Sequence, residues 1–274
     1  MPEHSAIGIR MKENYESIPK FKLYRRTPVI IRLDGRSFHT FTRGFVKPFD
    51  SVLVNSMQET MKYLCENTQG VKVGYCQSDE ISLLLTDYDT FSTQAFFDYE
   101  VQKVCSITAS MATLAFNHAF MLEFEEFHRS VCEGSPSDND IVLDSVYYGA
   151  MRKGAMFDSR CFNIPESEVT NYFYWRQLDA TRNSIQMIGQ YYFSHRELHG
   201  KSCNMIQEML HEEKGINWND TPTHLKRGSC CIKVSKQTEI GERTEWIIDE
   251  EIPEFVGDGR DYIEKYLQVE DEER

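Results

Sequence analysis

Residues 71–87, VKVGYCQSDEISLLLTD, constrain the fold more than any other segment, because two β-forming runs flank one tight polar turn at Gln77–Asp79. That pattern reads as a β-hairpin. Upstream, PVIIRLDG (28–35) is a short β-branched run ending in Asp-Gly, the signature of a buried strand with a turn at its end. Between the two, Val52, Met57, Met61 and Leu64 recur on one helical face, with Ser51 placed to cap it. Residues 93–124 then form a long helical stretch rich in Ala and Met. The order strand, helix, strand, strand, helix opens a ferredoxin-like split βαββαβ unit, so the fold class is α+β with an antiparallel sheet flanked by helices.

The second half is more loosely punctuated. CEGSPSDNDIV (132–142) reads as a polar loop and a boundary or insertion. FDSRCFNIPESEV (157–169) reads as a strand entering a helix whose first turn holds Pro165, Glu166 and Ser167. A helix over 201–213 and strands at 228–234 and 244–248 follow. The expected organisation is a core over 1–135, its remainder over 136–250 and an acidic tail over 251–274, together one compact domain.

Composition narrows the function classes. A net charge of −13 argues against broad, nonspecific nucleic-acid binding, yet leaves room for a local basic groove. Cations cluster at Lys20–Lys22–Arg25–Arg26, Arg152–Lys153 and Lys226–Arg227. No uninterrupted apolar run reaches the ~18–20 residues of a membrane span, and the N-terminus lacks a signal-peptide layout, so a cytoplasmic protein is expected. Eight cysteines without a CxxC pair read as reduced thiols. There is no G-x-x-x-x-G-K-[ST] phosphate loop.

Two acidic positions carry candidate chemistry. Asp34 ends the first strand, while Asp79 and Glu80 sit in the hairpin turn. In a βαββ sheet the first and third strands are neighbours, so these ends can meet and share hard, oxygen-seeking cations such as Mg²⁺. Gly35 would let the backbone approach an ion or triphosphate. Asp-Gly and Ser-Asp-Glu are also ordinary turn sequences, so spacing leaves both readings open.

The wording around these acids is more specific. RLDGRSFHTF (32–41), KPFD (47–50), YCQSDEISLLL (75–85), FDSR (157–160), YWRQLDATRNSI (174–185) and INWND…HLKRG (216–228) resemble, in order, segments of the tRNA-His guanylyltransferase family, which includes the 3′–5′ (reverse) nucleotide polymerases. The resemblance covers roughly residues 25–235 and implies a palm-like catalytic sheet. It also implies two-metal carboxylates at Asp34 and Asp79, with the Gly35 carbonyl as a further ligand and Glu80 assisting. Arg32, Lys47, Asp50, Ser78 and Asn217 fall where the family surrounds a nucleoside triphosphate, and His39 where it shapes the site. Substrates would be ATP, GTP or other NTPs with the 5′ end of a tRNA, and the assembly a homotetramer. Arg176, Arg182, Lys226 and Arg227 are the expected tRNA phosphate contacts. Thr181-Arg182-Asn183-Ser184 replaces the His-Ile-Asn-Asn run of eukaryotic members, which aligns this chain with the branch that repairs 5′ ends on a template. A palm-type nucleotidyl cyclase or small-molecule nucleotidyltransferase, and a non-catalytic NTP or RNA sensor, are the competing readings.

Overall fold

The computed structural model describes residues 5–238 and 241–268. In chain order the elements are α1 (Ala6–Met11), β1 (Val29–Gly35), α2 (Phe38–Phe41), α3 (Ser51–Asn67), β2 (Val71–Gln77), β3 (Glu80–Leu85), α4 (Val101–Glu133) and α5 (Asp138–Lys153). They continue with β4 (Phe157–Asn163), α6 (Glu166–Tyr192), α7 (His195–Leu198), α8 (Cys203–Lys214), α9 (Thr223–Arg227), β5 (Ser229–Thr238), β6 (Gly241–Asp249) and α10 (Asp261–Glu264). The six strands lie in the order β4-β1-β3-β2-β5-β6, each antiparallel to its neighbours. The first four reproduce the split βαββαβ order, and β5 and β6 extend the sheet beyond β2.

The strand alternation divides the sheet into two faces. Val29, Ile31 and Leu33 of β1, with Ile81, Leu83 and Leu85 of β3, pack against α3, α4 and α5 in the larger core. Ile30, Leu84, Val73 and Tyr75 pack on the opposite face against Val169 and Phe173 of α6. A third cluster joins Ile185 and Ile188 at the far end of α6 to Ile206 and Leu210 of α8.

Three expectations change. The polar stretch 132–142 is mostly helical: only a short link follows Glu133 before Ser137 starts α5 with a capping box to Asp140, a local signal that composition concealed. Beyond that link β4 pairs with β1 along its whole length, so residues on both sides of position 135 build one sheet. The acidic end is not a solvated tail over 251–267, since Ile252, Phe255, Ile263 and Leu267 are buried against α6 and the sheet. Asp271, Glu272 and Glu273 lie outside the described residues. Among the described helices only α4 has the length and hydropathy of a membrane span, because residues 104–122 are mostly apolar and hold no Asp, Glu, Lys or Arg. Its buried residues Val104, Ala112, Phe116, Phe120 and Phe124 cover the sheet.

Candidate active site

Toward its C-terminal end, β1 keeps one apolar face and loses the other. The odd positions stay buried through Leu33, while the even positions run Ile30, Arg32, Asp34. β3 shows the same gradient in reverse, Leu84, Ser82, Glu80, and its register sets Arg32 opposite Ser82 and Asp34 opposite Glu80. On the other side β4 sets Arg160 opposite Arg32 and Asp158 opposite Asp34. Residues directly opposite in an antiparallel pair share a face. The result is a charged half-face built from three strands.

The hairpin tip closes this patch. Gln77 pairs with Glu80, leaving Ser78 and Asp79 as the turn. Ser78 has φ 51°, in the left-handed region that glycine occupies at lower cost. Its hydroxyl donates to Asp79 Oδ1 at 3.1 Å. The Gly35 N–H donates to the Asp79 carbonyl at 2.9 Å, which ties the end of β1 to the tip. Asp34 and Asp79 are therefore brought together as expected. Burial raises the Asp79 carboxyl above its ordinary value, and the negative charge of Asp34 adds to that rise, partly opposed by hydrogen bonds to the carboxylate.

Gly35 earns its place differently from the expected reason. A Cβ there would lie 2.3 Å from Phe38 Cδ2, so glycine is needed for the Phe38 ring to pack beneath the strand end. His39 is exposed, whereas Phe38 and Phe41 on either side of it are buried.

Glu80 and Arg176, expected as an assisting acid and an RNA contact, are instead partners in one buried cluster. Arg176 donates from Nε at 2.7 Å and Nη2 at 2.8 Å to the two Glu80 oxygens. Arg32 Nη2 lies 2.8 Å from the same carboxylate. Burial raises Glu80, and the two guanidinium charges pull it back down. A carboxylate so clamped is neutralised already, and Arg176, 5% exposed, is out of reach of a polyanion. The cluster docks α6 on the sheet and holds Arg32, which faces Glu80 rather than open solvent. Lys226 is corrected in the same way: it is 7% exposed and its ammonium donates to the Asn219 carbonyl at 2.6 Å. Arg227 pairs with Glu254 at 2.5 Å, so only Arg182 of the four expected RNA contacts is well exposed, and it is paired with Asp179.

Of the nucleotide-binding candidates, Asp50 and Ser78 line a cleft beside the tip. Phe49, Asp50, Leu53, Gln77, Ser78, Asn183 and Ser184 are among its lining residues. Asp50 caps α3 through Leu53 N–H at 3.0 Å and also receives Val46 N–H at 2.8 Å and the Tyr147 hydroxyl at 2.7 Å. It builds the wall as much as it presents to the cleft. Lys47 is exposed on the preceding loop. Asn217 caps a short turn by accepting Asn219 N–H at 3.1 Å, and the neighbouring Trp218 indole donates to Ser184 at 3.0 Å. A wider cleft of about 690 Å³ between α3 and β6 is lined by Glu59, Glu123, Asp249, Glu250 and Glu251, a lining that repels a triphosphate.

Sequence reasoning assigned no site role to Asp158 or Arg160. Arg160 lies 2.8 Å from Asp158 and 4.0 Å from Asp34, and Trp175 stands with its ring 4.4 Å from the Arg176 guanidinium. The period-2 polar positions in FDSR were the available signal, once β4 is known to lie beside β1.

Residues 9–165 match the family model for tRNAHis guanylyltransferase. A bacterial tRNA(His) guanylyltransferase (Thg1)-like protein solved in complex with ATP is 40% identical, with a TM-score of 0.79 over 97% of this chain and 100% of its own. A second such bacterial structure, in complex with GTP, is 38% identical with a TM-score of 0.76 at the same coverage. An uncharacterized protein of Acanthamoeba polyphaga mimivirus is 28% identical over 81% of this chain and 75% of its own length. The chain belongs to the tRNAHis guanylyltransferase family of nucleotidyltransferases.

Proposed function

We propose that this protein adds nucleotides in the 3′–5′ direction to the 5′ end of tRNA, by two-metal nucleotidyl transfer centred on Asp34 and Asp79. The observation that carries the reading is the meeting of Asp34 and Asp79 at the β1 end and the hairpin tip, beside a cleft that Asp50 and Ser78 line. The donor set fits Mg²⁺: both groups offer hard oxygen, and their mutual repulsion in a partly dehydrated corner is relieved by a cation. The Gly35 carbonyl would be a third oxygen ligand, as the family resemblance implies, on the strand end whose N–H donates to the Asp79 carbonyl. Bound there, the metal ions would activate an attacking hydroxyl and neutralise the leaving phosphate.

The protein's own groups serve alignment and charge balance. Ser78 fixes the orientation of Asp79. Lys47, exposed on the loop before the cleft, offers an ammonium to the triphosphate. Arg160, beside Asp34, supplies a guanidinium on the opposite flank. The two bacterial neighbours, solved with ATP and GTP, support both nucleotides as substrates here: ATP to activate a 5′-monophosphate end, and GTP or another NTP to be added.

Thr181-Arg182-Asn183-Ser184 favours templated repair over a dedicated single guanylate addition. Asn183 and Ser184 line the cleft, so this departure falls where the incoming nucleotide would be held. The same reading has the chain assemble as a homotetramer, and a monomer in sedimentation would count against it. The deciding experiment supplies Mg²⁺, ATP and NTPs with a 5′-truncated, 5′-monophosphorylated tRNA and, separately, full-length tRNA-His. Template-matched extension of the truncated RNA supports repair. A single guanylate on tRNA-His alone would indicate the dedicated enzyme, and no product from either RNA would sink the proposal.

A further inference from the structure

All four cations expected to meet RNA are buried or paired with a carboxylate, so a polyanion needs another surface. Two acid-free stretches of the chain supply an alternative. Residues 35–49 contain Arg36, Arg43 and Lys47 and no carboxylate, and residues 145–157 contain Arg152 and Lys153 and no carboxylate, in a chain with 43 acids among 274 residues. The fold packs these stretches together. The Arg36 N–H donates to the Met156 carbonyl at 2.8 Å. A Cβ on Gly44 would touch Val146 of α5 at 3.2 Å. Tyr147 of α5 donates to Asp50, just beyond the first stretch.

All five cations are exposed. Among the described residues, Arg36, Arg43, Lys47, Arg152 and Lys153 have no ion-pair partner, and the only aromatic contact in the group is Arg152 with Tyr148, at 5.9 Å. The basic cluster near the N-terminus contrasts with this, since Lys22 and Arg25 are held by Asp87 and Asp98. Cations in the last turn of α5 do complement the helix dipole. That role accounts for Arg152 and Lys153 and leaves Arg36 and Arg43, which are on no helix, unexplained. The ridge begins two residues after Asp34, so it leads directly to the candidate active site.

We infer that the ridge formed by Arg36, Arg43, Arg152 and Lys153 is the track for the RNA phosphate backbone, with Tyr148 as a stacking face for an unpaired base beside it. The inference rests on the proposed reading of an RNA 5′ end at Asp34 and adds the surface that delivers it. A net acidic protein then binds RNA locally, through a ridge whose charge no carboxylate cancels, while the rest of its surface repels it.

The test compares the wild type with the double variant Arg43→Ala/Lys153→Ala and the charge-keeping Arg43→Lys/Lys153→Arg. RNA binding is measured by filter retention across a salt series, alongside ATP affinity, thermal midpoint and extension kinetics on truncated tRNA. The alanine variant is expected to lower the slope of log K against log salt by about 1–2 and to raise the RNA KM roughly tenfold. Its kcat at saturating RNA, ATP affinity and thermal midpoint should match the wild type. The charge-keeping variant should retain the wild-type slope. An alanine variant with unchanged slope and KM would overturn the ridge. Absence of extension by the wild type would instead defeat the proposed reaction, and the binding slopes would still decide the ridge.

Discussion

Along β1, one face and the other are held by different physics. Val29, Ile31 and Leu33 are fully buried and lie over the aromatic cluster of Phe38, Phe41, Phe116 and Phe120, whose rings meet at centroid separations of 5.2–5.9 Å. Across the strand, Ile30 is equally buried, but Arg32 and Asp34 face a surface where charge is balanced by charge. The apolar face gains from every methylene removed from water. The charged half-face gains little net stability, because its ion pairs were dehydrated to form. It also sets Asp79, which among the described residues has no ion-pair partner, beside Asp34, whose nearest guanidinium groups, Arg32 and Arg160, stand 3.9 and 4.0 Å away. The contrast teaches that stability and chemistry are assigned to opposite sides of the same seven residues.

The largest expected effect tests the charged side. Asp79→Asn should reduce nucleotidyl transfer by roughly 10²–10³-fold or more, since charge neutralisation at the reacting phosphate is lost. Single-turnover assays read this, and near-normal rates would remove Asp79 from the mechanism. On the apolar side, Phe116→Ala should cost about 3–5 kcal/mol in urea unfolding, with the transfer rate per folded molecule preserved. If activity fell with stability intact, the division between faces would be wrong.

Arg176→Ala sits on the border between the two. It removes both Arg176 hydrogen bonds from the buried Glu80 carboxylate and leaves Arg32 as its remaining partner, for an expected loss of up to about 3–5 kcal/mol, and should leave the salt dependence of RNA binding unchanged. A shallower salt slope would return Arg176 to the RNA interface. Gly35→Ala should cost about 1–3 kcal/mol by pushing Phe38 out of place, measured as a lower midpoint without metal.

The smallest effect concerns pH. Asp79 has its carboxyl raised in the fold, so its protonated form is favoured there and its ionised form opposes folding. Its favourable contribution is present below the ordinary carboxylate range and lost as pH rises through the raised value. Asp79→Asn is therefore expected to stabilise the metal-free protein at neutral pH, with the gain fading in acid. A variant less stable than wild type at neutral pH would show that Asp79 is held by attraction rather than opposed by burial and by the charge of Asp34.

Much of this division was legible before the fold. Asp34 and Asp79 were picked out because a strand end and a hairpin tip adjoin in a βαββ order, and the register confirms that placement. The identities of the buried cations were not legible. Arg176 and Lys226 look like surface cations in sequence, and only the approach of Glu80 and Asn219 shows that each is spent inside. Asp158 and Arg160 were invisible for a related reason, as nothing local says that β4, separated from β1 by three longer helices, pairs with it. Ile252, Phe255, Ile263 and Leu267 were hidden by the acidic residues among them, which face outward while the apolar ones pack.

The sequence by itself determined the elements whose cause is local: the period-2 runs of β1, β2 and β3, the turn at Ser78–Asp79, and the start of α6 near Pro165. Steric preference, hydrophobic periodicity and capping act within a few residues, so they can be read without the fold. Tertiary structure alone decided which charges remain free. A guanidinium or ammonium has the same chemistry everywhere in the sequence, and whether it meets a carboxylate, a carbonyl or open solvent depends on residues that lie far away along the chain. That is why Arg176 became a strut and the Arg36–Arg43 segment, packed against the acid-free end of α5, became the exposed basic surface.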